Sequence, residues 1–143
     1  GFLMIGGYMS FAGVENKARF HDTELEEALP VEVLAHDDRV ELPQGFCARA
    51  VDPQHPILNG LPEVFPTMLF YNKTLVKPGA QTLLINQDDG RSDPILAVWQ
   101  YGEGRSAAFT PDCAPHGAPP EFLNWEYYGE FFARIIRWTA GQL

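Results

Sequence analysis

Chemically versatile side chains follow two segments of this 143-residue sequence that are predicted to be strands. The first segment, residues 2–5, runs into GGYMS (6–10), and the second, residues 105–110, runs into PDCAPH (111–116). Because ligand sites in α/β sheets lie at the carboxyl ends of strands, these two places predict one functional site. The candidate catalytic side chains are Tyr8, Asp112, Cys113 and His116, and the candidate ligand-binding residues are Gly6, Gly7, Ser10 and Thr110.

The segment around Tyr8 has the layout of a nucleophile elbow. In such an elbow, small residues after a buried strand let the chain turn sharply and lift one side chain into a cleft. Gly6 and Gly7 are the small residues here, and Tyr8 stands at the tip. An ordinary tight turn explains the same pattern, so both interpretations stay open.

Asp112, Cys113 and His116 bring an acid, a thiol and an imidazole within five positions. These groups together suit nucleophilic or acid–base catalysis. The structural alternative is that Asp112 caps a turn, Cys113 is a small buried side chain and His116 bonds to the backbone. The sequence leaves both alternatives open.

The charge balance indicates which partners suit the chain. Ten Lys and Arg residues stand against 19 Asp and Glu residues, giving a net charge of −9. Nucleic acids and anionic membrane surfaces would be repelled, so neither is predicted as a partner. No apolar stretch approaches the ~20 residues that cross a bilayer. The position of the polar side chains at strand ends predicts a small polar molecule as a possible partner.

Cysteine and histidine spacing predicts neither a disulfide framework nor a metal site. Cys47 and Cys113 are too few and too far apart for either, which favours a reducing cytoplasm. The pairs at residues 21–22 and 36–38 lack the helical His spacing and the Cys partners of zinc sites. No cofactor is predicted.

The pattern of apolar residues, glycines and prolines predicts an α/β chain. Residues 2–5 read as a strand buried on both faces, and residues 94–101 and 105–110 as a hairpin. Prolines predict a loop at 52–66, and glycine with aspartates a turn at 87–93. Further strands are predicted at 31–34, 39–42, 46–51, 70–77 and 81–87, and helices at 22–29, capped by Asp22 or Thr23, and at 119–140.

Five segments in order resemble class I glutamine amidotransferase-like domains, especially the group with ThuA-like, trehalose-utilisation-type relatives. They are GFLMIGGYMSFAG (1–13), HPILNGLP (55–62), YGEGR (101–105), AFTPDCAPH (108–116) and RWTAG (137–141). The resemblance implies a flavodoxin-like parallel sheet with helices on both faces, plus the C-terminal β-hairpin and long helix.

The resemblance also implies that residues 1–143 are the C-terminal part of such a domain. The apolar run begins at once after Gly1, with no polar lead-in, so the chain is expected to be a fragment. The first βαβ units would precede Gly1. A strand at 2–5 would then lack neighbours, so we expect a homo-oligomer or association with the missing N-terminal segment.

The same resemblance bears on activity. Active relatives carry a Cys at the elbow tip and a Phe-His-Pro-Glu segment after a late strand, and the matching residues here are Tyr8 and FTPD (109–112). Nucleophile and base are both replaced, so glutamine hydrolysis by the known route is not predicted. The expected function is small-polar-ligand binding without catalysis. The alternative is a hydrolase or small-metabolite-modifying enzyme that uses Tyr8, Asp112, Cys113 and His116.

Overall fold

The computed structural model describes residues 1–87 and 90–143. Its helices are α1 (Glu24–Ala28), α2 (Pro120–Leu123) and α3 (Tyr128–Thr139), with a 3-10 turn at Val14–Asn16. Its strands are β1 (Phe2–Ile5), β2 (Val31–Val33), β3 (Arg39–Ala50), β4 (Val64–Asn72), β5 (Thr74–Val76), β6 (Gln81–Asn86), β7 (Asp93–Tyr101) and β8 (Gly104–Phe109). Asp88 and Asp89, in the middle of the predicted 87–93 turn, lie outside the described residues.

The main sheet is mixed, with the strand order β1-β8-β7-β6-β3-β4. Among the described strands of this sheet, only β1 and β8 run parallel, and the other four neighbouring pairs are antiparallel. The parallel sheet predicted for the chain is therefore not what the described residues form. Direct connections such as the Gly102-Glu103 turn join only antiparallel neighbours, whereas parallel strands need a long crossover.

Strand periodicity builds a core on each face of the sheet. Leu96 and Val98 of β7 enter the larger core, whereas Ala97 between them enters the smaller one, as expected for side chains that alternate. Helices α2 and α3 pack on the larger core. Residues 11–12, Leu29 and β2 cover the other face, so the prediction of helices on both faces is not confirmed.

Strand β1 ends the sheet in the described part of the chain. It pairs with β8 from Phe2↔Ser106 to Ile5↔Phe109, and all four of its residues are half-buried. The prediction of a fully buried strand is wrong for these residues, because only one neighbour covers β1. No helix among the described residues has the length and apolarity to span a membrane.

Four predicted elements have different boundaries in the structure. The segments at 39–42 and 46–51 join into β3, with a shift in register against β4 near Gly45. Residues 70–77 split at Lys73 into the end of β4 and β5. The predicted helix at 119–140 breaks into α2 and α3, because residues 124–127 bend the chain so that the Trp125 ring packs 4.9 Å from that of Phe65.

Other local predictions are confirmed. The hairpin of β7 and β8 turns at Gly102, whose φ of 55° lies in the left-handed region that glycine favours. Thr23 caps α1 by accepting the Glu26 N–H at 3.3 Å. In α3, Arg134 Nε lies 2.7 Å from Glu130 Oε1, the i, i+4 pair expected on its exposed side.

Candidate functional site

Gly6 brings the two polar loops of the sequence together at the end of the parallel pair. Its N–H donates to the carbonyl oxygens of Phe109 at 2.8 Å and Pro111 at 3.1 Å. A Cβ atom on residue 6 would overlap the carbonyl oxygen of Thr110, so only glycine fits. The segments that follow β1 and β8 therefore leave the sheet side by side.

A tight turn follows Gly6, with the Ser10 N–H donating to the Gly7 carbonyl oxygen at 3.2 Å. Tyr8 occupies this turn and is 37% exposed. A nucleophile elbow would lead directly into a helix, whereas the next helical residues here are the 3-10 turn at Val14–Asn16. The structure thus contains the tight turn that the glycines predict, without the strand–turn–helix geometry of an elbow.

Two buried polar side chains hold the Tyr8 loop in place. Asn72 accepts the Gly7 N–H at 2.8 Å, and its amide donates to the Ser10 carbonyl at 3.3 Å and to Asp38 Oδ1 at 2.8 Å. Asp38 also accepts the N–H groups of Ala12 at 2.9 Å and Gly13 at 3.0 Å. Residues 7–13 are therefore fixed by side chains from β4 and from the segment before β3.

Sequence reasoning missed Asn72 and Asp38. Burial raises the pKa of Asp38, and hydrogen bonds from Asn72, Ala12 and Gly13 oppose that shift by stabilising the carboxylate. An amide directly after the apolar residues of a predicted strand is the one signal that could have indicated Asn72.

Tyr8, Phe70 and His116 form what we call the aromatic wall. The Tyr8 ring centroid lies 4.5 Å from that of His116, with the rings nearly perpendicular, and 5.4 Å from that of Phe70. The wall borders a cleft of about 180 Å³, the Tyr8 cleft, which Glu41 and Leu42 of β3 and Leu69 of β4 also line. The structure thus brings together Tyr8 and His116, which the sequence placed in one site.

Three charged residues lie at the edge of the Tyr8 cleft. The Tyr8 hydroxyl donates to Glu41 Oε1 at 2.8 Å, and this hydrogen bond raises the pKa of the phenol. Arg39 binds Asp37 with two bonds, Nε to Oδ1 at 2.9 Å and Nη2 to Oδ2 at 2.7 Å, which lower the pKa of Asp37. Its guanidinium also lies 5.8 Å from the Tyr8 ring centroid. None of these acidic or basic partners was predicted as a site residue.

Among the described residues, Asp112 and Cys113 form no hydrogen bond with His116. Asp112 Oδ1 accepts the Ala114 N–H at 2.9 Å, the turn-capping alternative. Cys113 is half-buried, and burial together with the Asp112 carboxylate raises the pKa of its thiol. Within residues 1–87 and 90–143, no hydrogen bond joins a cysteine to a histidine. His116 is exposed beside Tyr8.

The four predicted ligand-binding residues differ in how far they are buried. Thr110 is completely buried, and its hydroxyl donates to the Pro94 carbonyl oxygen at 2.9 Å. Gly6 is buried as well, whereas Gly7 and Ser10 are half-buried in the turn. Gly6 and Thr110 therefore position the site through the backbone and offer no group to a ligand.

His21, Asp22 and Glu26 form a group of potential metal ligands in the described part of the chain. The ligand atoms lie within 4.8 Å of one another. Both oxygens of the buried Glu26 carboxylate already accept backbone N–H groups, those of Asp22 and Val33. The arrangement stabilises the start of α1 and the nearby strand β2.

Comparison with known families places this chain in a family. A family model described as "Putative glutamine amidotransferase" matches residues 1–141, so the chain belongs to that glutamine amidotransferase-like family. The predicted resemblance is confirmed at this level. A comparison with curated proteins gave no significant match.

Solved structures support the same grouping. A cytoplasmic protein from Salmonella typhimurium is 40% identical, with a TM-score of 0.89, and the match covers 96% of this chain and 54% of that one. A second, from Salmonella typhimurium LT2, is 41% identical with the same TM-score and coverage. The chain thus spans about half the length of these relatives.

A third solved structure, described as a ThuA-like protein from Parabacteroides merdae, is 14% identical with a TM-score of 0.60. The match covers 98% of this chain and 60% of that protein. At this identity the likeness concerns the fold alone.

Proposed function

We propose that this chain is part of a glutamine amidotransferase-like domain that binds a small polar molecule in the Tyr8 cleft and does not hydrolyse glutamine. The hydrogen bond from Tyr8 to Glu41 carries the proposal. The hydrogen bond raises the pKa of the phenol, so Tyr8 stays protonated at neutral pH and is a far weaker nucleophile than the thiolate that forms a thioester. Thr110, which matches the family's catalytic His, is buried and bonded to Pro94.

A second candidate function is a hydrolase or a small-metabolite-modifying enzyme that uses Tyr8, Asp112, Cys113 and His116. The contact between the Tyr8 and His116 rings favours it, because it brings an imidazole, the most frequent general acid or base, into the same cleft as the phenol. This enzyme would need an activated nucleophile. Cys113 is the strongest nucleophile of the four, so the state of its thiol separates the two functions.

Cys113 is expected to react slowly with thiol reagents at neutral pH. Its raised pKa leaves less thiolate than an ordinary thiol has, so the labelling rate should rise only at alkaline pH. The measurement is the rate of alkylation between pH 5 and 10 in Cys47→Ser, in which Cys113 is the sole thiol. A free cysteine derivative, with a pKa of ~8.5, serves as the reference.

The enzyme alternative gives the opposite profile. A catalytic thiolate would label faster than the reference below pH 7 and reach its maximum rate there. That result would overturn the binding function in favour of the hydrolase. Slower labelling than the reference across the neutral range would eliminate Cys113 as a nucleophile.

The complete domain is proposed to be class I and flavodoxin-like, and to lie in the cytoplasm. The parallel pair of β1 and β8 is the arrangement that such a sheet requires. The two Salmonella relatives are nearly twice as long as this chain and are described as cytoplasmic. Strand β1 bonds to β8 on one side, which leaves its other edge able to pair with a further strand.

The isolated 143-residue chain is therefore expected to self-associate or to stay bound to an upstream segment of the same protein. An open, half-buried edge strand is a template for pairing with another chain. Light scattering with mass spectrometry of the sample tests this. A monodisperse monomer that unfolds cooperatively, with no second polypeptide, would contradict the expectation.

A further inference from the structure

The Tyr8 cleft carries an uncompensated negative charge. Arg39 is held by Asp37 through two short bonds, and its Nη1 is a longer 3.7 Å from Glu41 Oε1. Two carboxylates and one guanidinium therefore leave one net negative charge at the cleft edge. The Glu41 side chain is 51% exposed. The Tyr8 hydroxyl occupies its Oε1, and Oε2 has no hydrogen-bond partner among the described residues.

The aromatic wall, like the negative charge of Glu41, favours a positively charged ligand. Ring faces attract cations that lie within ~6 Å of the centroid. The Arg39 guanidinium already sits 5.8 Å from the Tyr8 centroid, so one face of this ring holds a cation within the protein itself. Phe70 and His116 extend the wall along the cleft, with no cationic side chain among the described lining residues.

We propose that the Tyr8 cleft binds a small molecule with a protonated primary amine, whose ammonium group donates to the free oxygen of Glu41 and lies against the aromatic wall. Leu42 and Leu69 line the cleft beside Glu41 and contact the ligand's apolar carbons. The volume of about 180 Å³ is below the ~300–1,000 Å³ of most ligand pockets, so the ligand is small. Ligands that carry a phosphate or carboxylate group should bind weakly in this cleft, because the Glu41 carboxylate repels them. This inference rests on the proposed binding function.

Three probes of one shape and different charge test the ligand class. n-Butylamine, 1-butanol and butyrate carry a positive charge, no charge and a negative charge at pH 7.5. Their affinities for the intact protein are measured from NMR shifts of the His116 and Tyr8 ring protons during titration. Butylamine and butanol can both donate a hydrogen bond to Glu41, so the difference between them is the ion pair. An ion pair with a half-exposed carboxylate corresponds to roughly 1.5–5-fold in affinity, so butylamine should bind ~2–5-fold more tightly than butanol.

Two variants and a control connect the charge preference to the cleft. Glu41→Gln should remove the preference for butylamine and leave butanol unchanged. Tyr8→Phe keeps the ring and frees Glu41 Oε1, so butylamine should bind at least as well as to the wild type. Glu103→Gln is the matched control, because Glu103 lies in the turn at the opposite end of β8, about 20 Å away along the strand. It should keep the wild-type preference.

The possible outcomes separate the ligand class from the site. Equal binding of butylamine and butanol, or a preference for butyrate, would contradict the proposal that the ligand is an amine. The Tyr8 cleft would still be a binding site. A butylamine preference that survives Glu41→Gln would also contradict the amine proposal. Shifts at other residues, with none at His116 or Tyr8 for any probe, would overturn both the amine and the proposed function. Loss of the preference in Glu41→Gln alone supports the proposal.

Discussion

Replacing Gly6 by alanine is expected to destabilise the protein by at least ~2–3 kcal/mol. The added Cβ would overlap the carbonyl oxygen of Thr110, and that oxygen belongs to backbone that cannot move alone. Thr110 is anchored by its own bonds, since its N–H donates to the Ile95 carbonyl at 2.9 Å and its carbonyl accepts the Asn72 N–H at 3.0 Å. Relief of the clash would separate β1 from β8. Urea unfolding of Gly6→Ala against the wild type measures the loss.

Gly129→Ala is the matched control. Gly129 lies in the first turn of α3, and a Cβ there meets nothing within 4 Å. Alanine is a better helix former than glycine, so this variant should be neutral or stabilised by up to ~1 kcal/mol. Equal stabilities for the two variants would contradict the close approach of Gly6 to β8 on which the site depends.

Asn72→Ala is expected to cost ~2–4 kcal/mol, because several buried groups lose their hydrogen-bond partner at once. The amide of Asn72 is completely buried and bonds to Gly7, Ser10 and Asp38. Without the Asn72 side chain, the Tyr8 loop should also become more mobile, because its hydrogen bonds to β4 are lost. Urea unfolding measures the stability, and NMR line widths of Tyr8 measure the order of the loop.

Asn59→Ala controls for the loss of an amide in general. Asn59 is exposed, and surface substitutions of this kind usually stay within ~0.5 kcal/mol of the wild type. Unchanged stability in Asn72→Ala would show that the buried network does not hold the loop. A loss of stability with unchanged Tyr8 line widths would show that the buried network stabilises the fold but does not order the Tyr8 loop.

The sequence could predict the elements that local chemistry determines. Gly102 allows the hairpin turn, Thr23 caps α1, and the Gly6-Gly7 pair indicates a tight turn after β1. Strand pairing is different, because strand segments such as Phe2–Ile5 and Gly104–Phe109 do not encode which neighbour lies beside them or in which direction. The parallel sheet was therefore wrong for the described residues, although the β1 and β8 pair is parallel.

The site could be predicted only in part for the same reason. Tyr8 and His116 were found because each follows a strand end, and the structure places their rings in contact. Glu41 comes from the start of β3 and Phe70 from the end of β4, where nothing in the local sequence indicates a cleft. Trp125 likewise ended the predicted long helix by packing on Phe65, a contact between residues far apart in sequence.

The central claim is that Tyr8 and Thr110 leave this domain without glutaminase activity. The most direct test is the release of ammonia from glutamine by the intact protein, with Tyr8→Phe and a sample without protein measured in parallel. We predict the same background rate in all three, because the Tyr8 phenol is bonded to Glu41 and the Thr110 hydroxyl to Pro94. Turnover above background in the wild type that disappears in Tyr8→Phe would contradict the claim.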